Sequence, residues 1–282
     1  VEKGGPMCRM LGFVATHPTR LDCALVDAPH SLLAQSREDL EGFSHADGWG
    51  IAQWGEDGVS VIRHLAAAHE GEDYLNFARS VRAPKLIAHV RQATAGDVCF
   101  ENTHPFVSGP WVFVHNGTIR HFQEGVRDRM WLEIAPDRRR QIQGNTDSEA
   151  LFQLLLSRLD KHPDQPALDV IAGVIRDIVD WCAESGPCEN LGLTMMLSDG
   201  DRFYGARWQQ SLWMLQRDGR RDTELCDQPP DGETDGYHAL LIASEPLTDE
   251  DWQAVPECCV FEIEPHPEDP SMKLRFRMVT SE

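Results

Sequence analysis

Five short runs gather nucleophilic, charged and amide side chains, four of them beside glycine. They are His45-Ala46-Asp47-Gly48-Trp49-Gly50, His89-Val90-Arg91-Gln92-Ala93-Thr94-Ala95-Gly96, Asn102-Thr103-His104-Pro105-Phe106, His115-Asn116-Gly117-Thr118 and Asn145-Thr146-Asp147-Ser148-Glu149. Cys8 stands ahead of them, in Met7-Cys8-Arg9-Met10-Leu11-Gly12. These residue types could together do nucleophilic chemistry at a carbonyl. A cysteine is intrinsically nucleophilic but mostly protonated at neutral pH, so it needs a base within reach. A guanidinium suits a carboxylate and an Asp suits an ammonium. An Asn-Gly pair offers a side-chain amide and a backbone N–H to a developing oxyanion. Taken singly, each residue has a plainer explanation. Asp47-Gly48 and Asn116-Gly117 are ordinary turn dipeptides. Arg91 could pair with any of the 46 acidic residues, Asp147 could answer a helix dipole, His104 could be a loop histidine and Cys8 a core residue. The weight lies in their joint occurrence and order.

The elements that must position these runs follow from hydrophobic period and turn chemistry. Residues 9–16 are apolar and β-branched enough for a strand, and residues 31–40 carry a short helical stretch. Residues 51–54 and 59–64 flank Gly55-Glu56-Asp57-Gly58, a hairpin signal. Residues 73–81 are helix-like, residues 85–90 form a strand running into Arg91, and residues 111–115 form one running into Asn116. Residues 120–143 are charged and helix-permissive, with the arginines at 138–140 on a solvated face. Thr146-Asp147-Ser148-Glu149 has the capping-box form ahead of a helix over 150–159, and a second amphipathic helix spans 168–183. Asp199-Gly200 is a hairpin turn between strands at 193–197 and 202–208. Strands at 211–216, 239–244, 260–264 and 274–279 complete the last third, with a surface loop over 217–237. Strands, two helices, then strands again predict one α+β domain with helices layered on antiparallel sheet.

Composition narrows the partners. A hydrophobic share of 41%, with eight Trp and eleven Phe, excludes a disordered chain. A net charge of −20 disfavours nucleic acid and anionic membrane surfaces. No apolar run approaches the roughly 18 residues of a membrane span, and no signal-peptide layout is present. Eight cysteines without a Cys-x-x-Cys pair are expected to be mostly reduced, small hydrophobes of a cytoplasmic protein. The absence of Gly-x-Ser-x-Gly, Gly-x-Gly-x-x-Gly, Walker-type and His-Glu-x-x-His motifs disfavours Rossmann hydride transfer, P-loop hydrolysis and zincin chemistry. No metal or organic cofactor is implied.

The run around Cys8, followed by the later clusters in this order, resembles the class II glutamine amidotransferases, members of the N-terminal-nucleophile hydrolases, and most of all their short standalone bacterial type. The likeness extends from Cys8 into the last third, including Ala243-Ser244-Glu245-Pro246-Leu247 and Trp252. It implies a four-layer αββα sandwich of two antiparallel sheets over residues 8–282, with residues 1–7 a leader or appended scar plus the initiator Met. It implies that Cys8, once first in the chain, attacks the side-chain amide of glutamine with its own α-amine as base. Asn116 and Gly117 then match the oxyanion hole. Arg91 matches the holder of the substrate α-carboxylate with Thr94 in the same loop, Asp147 matches the partner of its α-ammonium, and His104 flanks the pocket. An α-amine has an unperturbed pKa of about 7.7–8.0, close to where a general base works well.

Two departures keep alternatives open. With Val1–Met7 attached, the Cys8 nitrogen is an amide and cannot act as a base. Ammonia-channelling relatives carry a synthase domain after the glutaminase. The roughly 135 residues beyond Asp147 complete one sandwich, in line with the usual span of a single domain. Either an unlinked synthase partner takes the ammonia from L-glutamine, or the enzyme hydrolyses a γ-glutamyl amide of a small molecule. Asp27-Ala28-Pro29-His30-Ser31-Leu32 resembles a segment of relatives that act on an ergothioneine-pathway intermediate. A non-catalytic amino-acid-binding module is the third alternative.

Overall fold

The computed structural model describes residues 7–94, 96–218, 237–264 and 272–280. Most of the leader, most of the loop expected over 217–237, and Cys226 lie outside the described residues. Thirteen strands are described: β1 (Arg9–Arg20), β2 (Trp49–Gly55), β3 (Gly58–His64), β4 (Arg82–Val90), β5 (Phe106–Ser108), β6 (Trp111–Asn116), β7 (Thr194–Ser198), β8 (Phe203–Arg207), β9 (Trp213–Asp218), β10 (His238–Ala243), β11 (Gln253–Ala254), β12 (Cys259–Glu264) and β13 (Lys273–Met278). The α-helices are α1 (Leu32–Arg37), α2 (Glu72–Ser80), α3 (Val126–Glu133), α4 (Pro136–Arg139), α5 (Asp147–Lys161) and α6 (Ala167–Ser185). A single π-type turn over Cys23–Asp27 precedes α1.

The strands form two sheets, ordered β11-β9-β10-β1-β4-β2-β3 and β13-β12-β8-β7-β6-β5, and every described pairing is antiparallel. Three apolar clusters define the layers. Helices α1 and α2 cover the outer face of the first sheet through Leu32, Leu33, Tyr74 and Ala78. Helices α3, α5 and α6 cover the second through residues such as Met130, Leu151 and Ile175. Between the sheets, Met10, Val14 and Ile87 meet Val114, Met196, Phe203 and Phe261. This is the expected four-layer αββα sandwich.

Strand β1 reads as a nearly continuous apolar run because both of its faces are buried. Leu11 and Phe13 point to the helix layer, Met10 and Val14 to the other sheet, the alternation a strand requires. Gly12 lets the sheets close: a Cβ there would come within 2.6 Å of the Phe203 ring and 2.7 Å of the Met196 sulfur.

Antiparallel pairing also gathers the sequence clusters. Arg9 at the start of β1 pairs with Val90 at the end of β4, and Val90 pairs with Trp49 at the start of β2. Strand β6 of the second sheet lies against β4 and ends at Asn116. The starts of β1 and β2 and the ends of β4 and β6 therefore share one end of the sandwich, where α5 also begins. Among the described residues no helix is long and apolar enough to cross a membrane.

Two local expectations need correction. The Thr146 hydroxyl does cap α5, accepting from the Glu149 amide at 3.3 Å. The Glu149 carboxylate does not return the bond; it accepts instead from the Gln143 and Gly144 amides at 2.9 and 2.7 Å. Arg138 is not simply solvated, because it donates to Asp160 and to Ser108, each at 2.8 Å. Cys23 is disulfide-bonded, whereas Cys8, Cys99, Cys182, Cys188, Cys258 and Cys259 are free thiols.

Candidate active site

A hollow of about 300 Å³, counted out to its solvent opening, lies at this shared end. Its wall brings together Cys8, Arg91, Thr94, His104, Gly117 and Asp147, six of the seven residues singled out from the sequence. The seventh, Asn116, is buried immediately beside Gly117 and does not line the hollow; its carboxamide oxygen has no hydrogen-bond partner. Gln92, Asn102, His115, Thr146 and Ser148 complete the wall. All five lie in the sequence clusters, but nothing in their spacing separated them from neighbours with only structural duties.

Cys8 sits just ahead of β1, opposite the residues that follow β4. Its thiol donates to the Gln92 carbonyl and accepts from the Gln92 amide, both at 3.3 Å. Burial pushes the thiol pKa up, against the Gln92 backbone and the positive charges of Arg91 and Arg9, which pull it down. The net direction is upward, so the resting group is a thiol and needs a base.

The loop from His45 to Gly50 braces the opposite strand end. The Asp47 amide donates to the Arg91 carbonyl at 3.0 Å, the Arg91 amide donates to the Gly48 carbonyl at 2.8 Å, and the Asp47 carboxylate accepts from the Ala93 amide at 2.7 Å. Arg91 itself is buried, with Nη1 donating to the Asp97 carbonyl at 3.0 Å. Asn102 ties the same loop to the start of α5. Its Nδ2 donates to Asp97 O at 2.9 Å and Asn145 Oδ1 at 2.7 Å, and its Oδ1 accepts from the Asn145 amide at 3.0 Å. Asp147 is anchored by the Ile119 amide at 2.7 Å and the Ser148 amide at 2.9 Å. Gly117 packs directly on Gly192; a Cβ there would lie 2.2 Å from the Gly192 carbonyl oxygen. The hollow thus holds a fixed cation, a fixed anion and a thiol on separate elements.

Four histidines, His45, His89, His104 and His115, are buried at this end. The rings of His89 and His104 stack with centroids 4.3 Å apart. His115 Nε2 lies 3.0 Å from the Gly192 carbonyl, which can only accept, so Nε2 carries the proton and Nδ1 accepts from the Ser148 hydroxyl at 2.9 Å. Burial, reinforced by the charge of Arg91 and by mutual repulsion, drives the His89 pKa down to about 3. It drives His104 well below its ordinary value, and it also lowers His45 and His115. The four rings are neutral near pH 7.

This cluster makes the fold acid-sensitive. The unfolded chain takes up protons on these rings at about pH 6.5 and the folded chain does not. Their contribution is therefore complete above pH 6.5 and is lost as pH falls below it. His89 alone is expected to cost about 1.4 kcal/mol per pH unit below 6.5, or about 2 kcal/mol by pH 5. Denaturant unfolding at pH 7.5 and pH 5.0 measures the loss, and His89→Leu should shrink the difference by about that amount. An unchanged difference would mean that His89 takes up its proton in the folded state.

Among the described residues no three His, Cys, Asp or Glu side chains are grouped to hold a metal ion. None of the residues from Asp27 to Leu32 lines the hollow. Ser31 caps α1, Asp27 pairs with Arg79 at 2.9 Å, and Ala28 and Leu32 belong to the apolar layer on the first sheet's outer face.

Residues 7–262 match the family profile of glutamine amidotransferases class-II. The chain is 28% identical over 299 residues to a Saccharomyces cerevisiae protein named probable glutamine amidotransferase DUG3, spanning 91% of this chain and 82% of that one. It is 26% identical over 257 residues to the gamma-glutamyl-hercynylcysteine sulfoxide hydrolase of Mycolicibacterium smegmatis, spanning 89% and 93% of the two chains. Among solved structures, a glutamine aminotransferase class-II domain protein from Silicibacter pomeroyi superposes with a TM-score of 0.66. That superposition covers 97% of this chain and all of the other at 20% identity, a likeness of fold.

Proposed function

Because the chain belongs to the class-II glutamine amidotransferases, with their N-terminal-nucleophile hydrolase fold, we propose that it hydrolyses the side-chain amide of glutamine to glutamate and ammonia with Cys8 as nucleophile. Family membership makes it an amidohydrolase enzyme; the substrate and the residue roles are our reading. What supports them is the convergence of Cys8, Arg91, Thr94, His104, Gly117 and Asp147 on one small hollow.

In the proposed reaction residues 1–7 are absent and the α-amine of Cys8 takes the thiol proton. The thiolate attacks the amide carbon. The oxyanion is held by the Asn116 carboxamide and the Gly117 N–H, donors fixed before the charge appears. The amine returns its proton to the leaving ammonia, which leaves a thioester on Cys8. Water, deprotonated by the same amine, cleaves the thioester to glutamate and restores the thiol. The Arg91 guanidinium takes the substrate α-carboxylate and Asp147 its α-ammonium, with Thr94 and His104 closing the sides. Recognising both head groups selects a free amino acid over a residue in a peptide. The ammonia passes to an unlinked acceptor enzyme, and we place the reaction in the cytoplasm.

Hydrolysis of a γ-glutamyl conjugate by the same residues is the second reading, favoured by the likeness to a gamma-glutamyl-hercynylcysteine sulfoxide hydrolase across most of both chains. The small size of the hollow favours glutamine itself. The chain beginning at Cys8 is expected to release glutamate from L-glutamine with a kcat/KM at least tenfold above that for γ-glutamyl dipeptides. The reverse ratio assigns the conjugate. Saturable binding of glutamine without turnover of either substrate would assign a binding module.

A further inference from the structure

Arg9 follows the nucleophile, and strand alternation turns it to the opposite face of β1, away from the hollow. It is 4% exposed. A buried charge is tolerated only when it is paired and hydrogen-bonded, and here two carboxylates share the task. Asp39, from the loop after α1, meets Nη2 at 2.7 Å. Glu245, after β10, meets Nη2 at 2.8 Å and accepts from Nε at 3.0 Å. Both carboxylates are themselves held. Asp39 accepts from the Glu41 and Phe43 amides, each at 2.9 Å, and meets His45 Nε2 at 2.8 Å; Glu245 accepts from the Leu40 amide at 3.2 Å. The third arm of the guanidinium is aimed elsewhere: Nη1 donates to the Met7 carbonyl at 3.0 Å and the Cys8 carbonyl at 3.2 Å.

We propose that Arg9 is the positioning residue of the nucleophile: its Nη1 fixes the main chain of Cys8 and, when Cys8 is the first residue, sets a positive charge beside the α-amine that keeps it unprotonated at neutral pH. This rests on the reading of Cys8 as an N-terminal nucleophile. The Met7 carbonyl oxygen is two bonds from the Cys8 nitrogen, so Nη1 lies within roughly 5–6 Å of that nitrogen. A neighbouring charge at about 4–6 Å moves a pKa by about 1–3. Of the other ionisable groups, Asp39 and Glu245 are committed to the guanidinium. Glu41 reaches it only at 3.9 Å from a half-exposed position, and burial followed by the Arg9 charge lowers the His45 pKa, leaving that ring neutral. On the hollow side the Asp47 carboxylate is bound to the Ala93 amide and Asp147 to those of Ile119 and Ser148. His104 and His115 are neutral there, and the nearby Arg91 adds a second positive charge.

The test uses the chain beginning at Cys8, with the ¹³Cα shift of Cys8 followed against pH to titrate the α-amine. The double variant Arg9→Gln with Glu245→Gln removes one charge of each sign. It is expected to raise the amine pKa by about one unit, to move the acidic limb of kcat/KM for L-glutamine up equally, and to lower kcat at pH 7 about tenfold with KM within twofold. Glu245→Gln alone leaves the guanidinium less neutralised and is expected to lower the amine pKa, which keeps the test open should the double variant not fold. An amine that titrates alike in parent and folded variant overturns the proposal even if the parent is an active glutaminase. A shifted amine in a parent silent toward glutamine supports it and removes the glutaminase reading instead.

Discussion

Cys8→Ala in the chain beginning at residue 8 is expected to lower glutamate release from L-glutamine by roughly 10⁴–10⁶-fold, the scale seen when a nucleophile is deleted from a hydrolase that otherwise keeps its site. The chain that retains Val1–Met7 is expected to be as silent, although every side chain of the hollow is present. Two observations underlie the second half of this expectation. Burial raises the thiol pKa despite Arg91 and Arg9, so little thiolate exists without a base. The four histidines at this end carry lowered pKa values, and the two that face the hollow are poor substitutes: His115 has both ring nitrogens engaged and His104 resists taking up a proton. That leaves the α-amine, which exists only after cleavage before Cys8. A coupled glutamate dehydrogenase assay on the three preparations decides the matter. Full activity with the leader attached would move the base away from the amine. Retained activity in Cys8→Ala would remove the nucleophile from the scheme.

The elements that carry the site were legible in the sequence for a physical reason. Strands β1, β4 and β6 read as apolar runs buried on both faces, with Cys8 just ahead of the first and the Arg91 and Asn116 clusters at the ends of the other two. The antiparallel register then makes the start of β1 and the ends of β4 and β6 coincide. Features set by contacts outside an element's own residues were not legible. The Glu149 carboxylate leaves the capping box because two amides of the preceding turn, Gln143 and Gly144, compete for it. Arg138 looked solvated in a run of arginines and is claimed by Asp160 and Ser108, 22 and 30 residues away. The two-residue strand β11 exists only through its pairing with Trp213 and Met214. A guanidinium at the head of an otherwise apolar strand was the signal for Arg9. Its partners, 30 and 236 residues away, carry no local mark.

In the proposed reaction the arrangement of charge would set one orientation of a small zwitterion. Arg91 and Asp147 come from different layers, the end of a first-sheet strand and the first turn of the helix over the second sheet. Each is held by backbone groups: the Asp97 carbonyl for Arg91, and the Ile119 and Ser148 amides for Asp147. Under the proposed function, a substrate held between them by its head group would turn its side chain toward Cys8 and the Asn116-Gly117 corner. Binding energy from the head group is thereby available to orient the amide.

At that corner Asn116→Ala is expected to lower kcat by about 10²–10³-fold, the usual consequence of deleting one oxyanion donor, with KM changed less than threefold. Asn116 closes β6 opposite Thr194 and is 2% exposed, with its carboxamide oxygen unpaired. A buried amide oxygen without a donor is a standing cost of about 1–3 kcal/mol, so truncation should leave the melting temperature unchanged or raise it. Activity and stability moving apart is the signature of a group kept for the transition state rather than for the fold. Gly117→Ala cannot separate the two, because its Cβ would meet the Gly192 carbonyl oxygen at 2.2 Å and displace the loop that carries both donors. Asn116→Asp is the sharper companion. It preserves shape but sets a carboxylate where negative charge develops, and its kcat should fall below that of the alanine variant. If Asn116→Ala instead raises KM at constant kcat, the residue contacts the ground state and the oxyanion must be held by Gly117 and another donor.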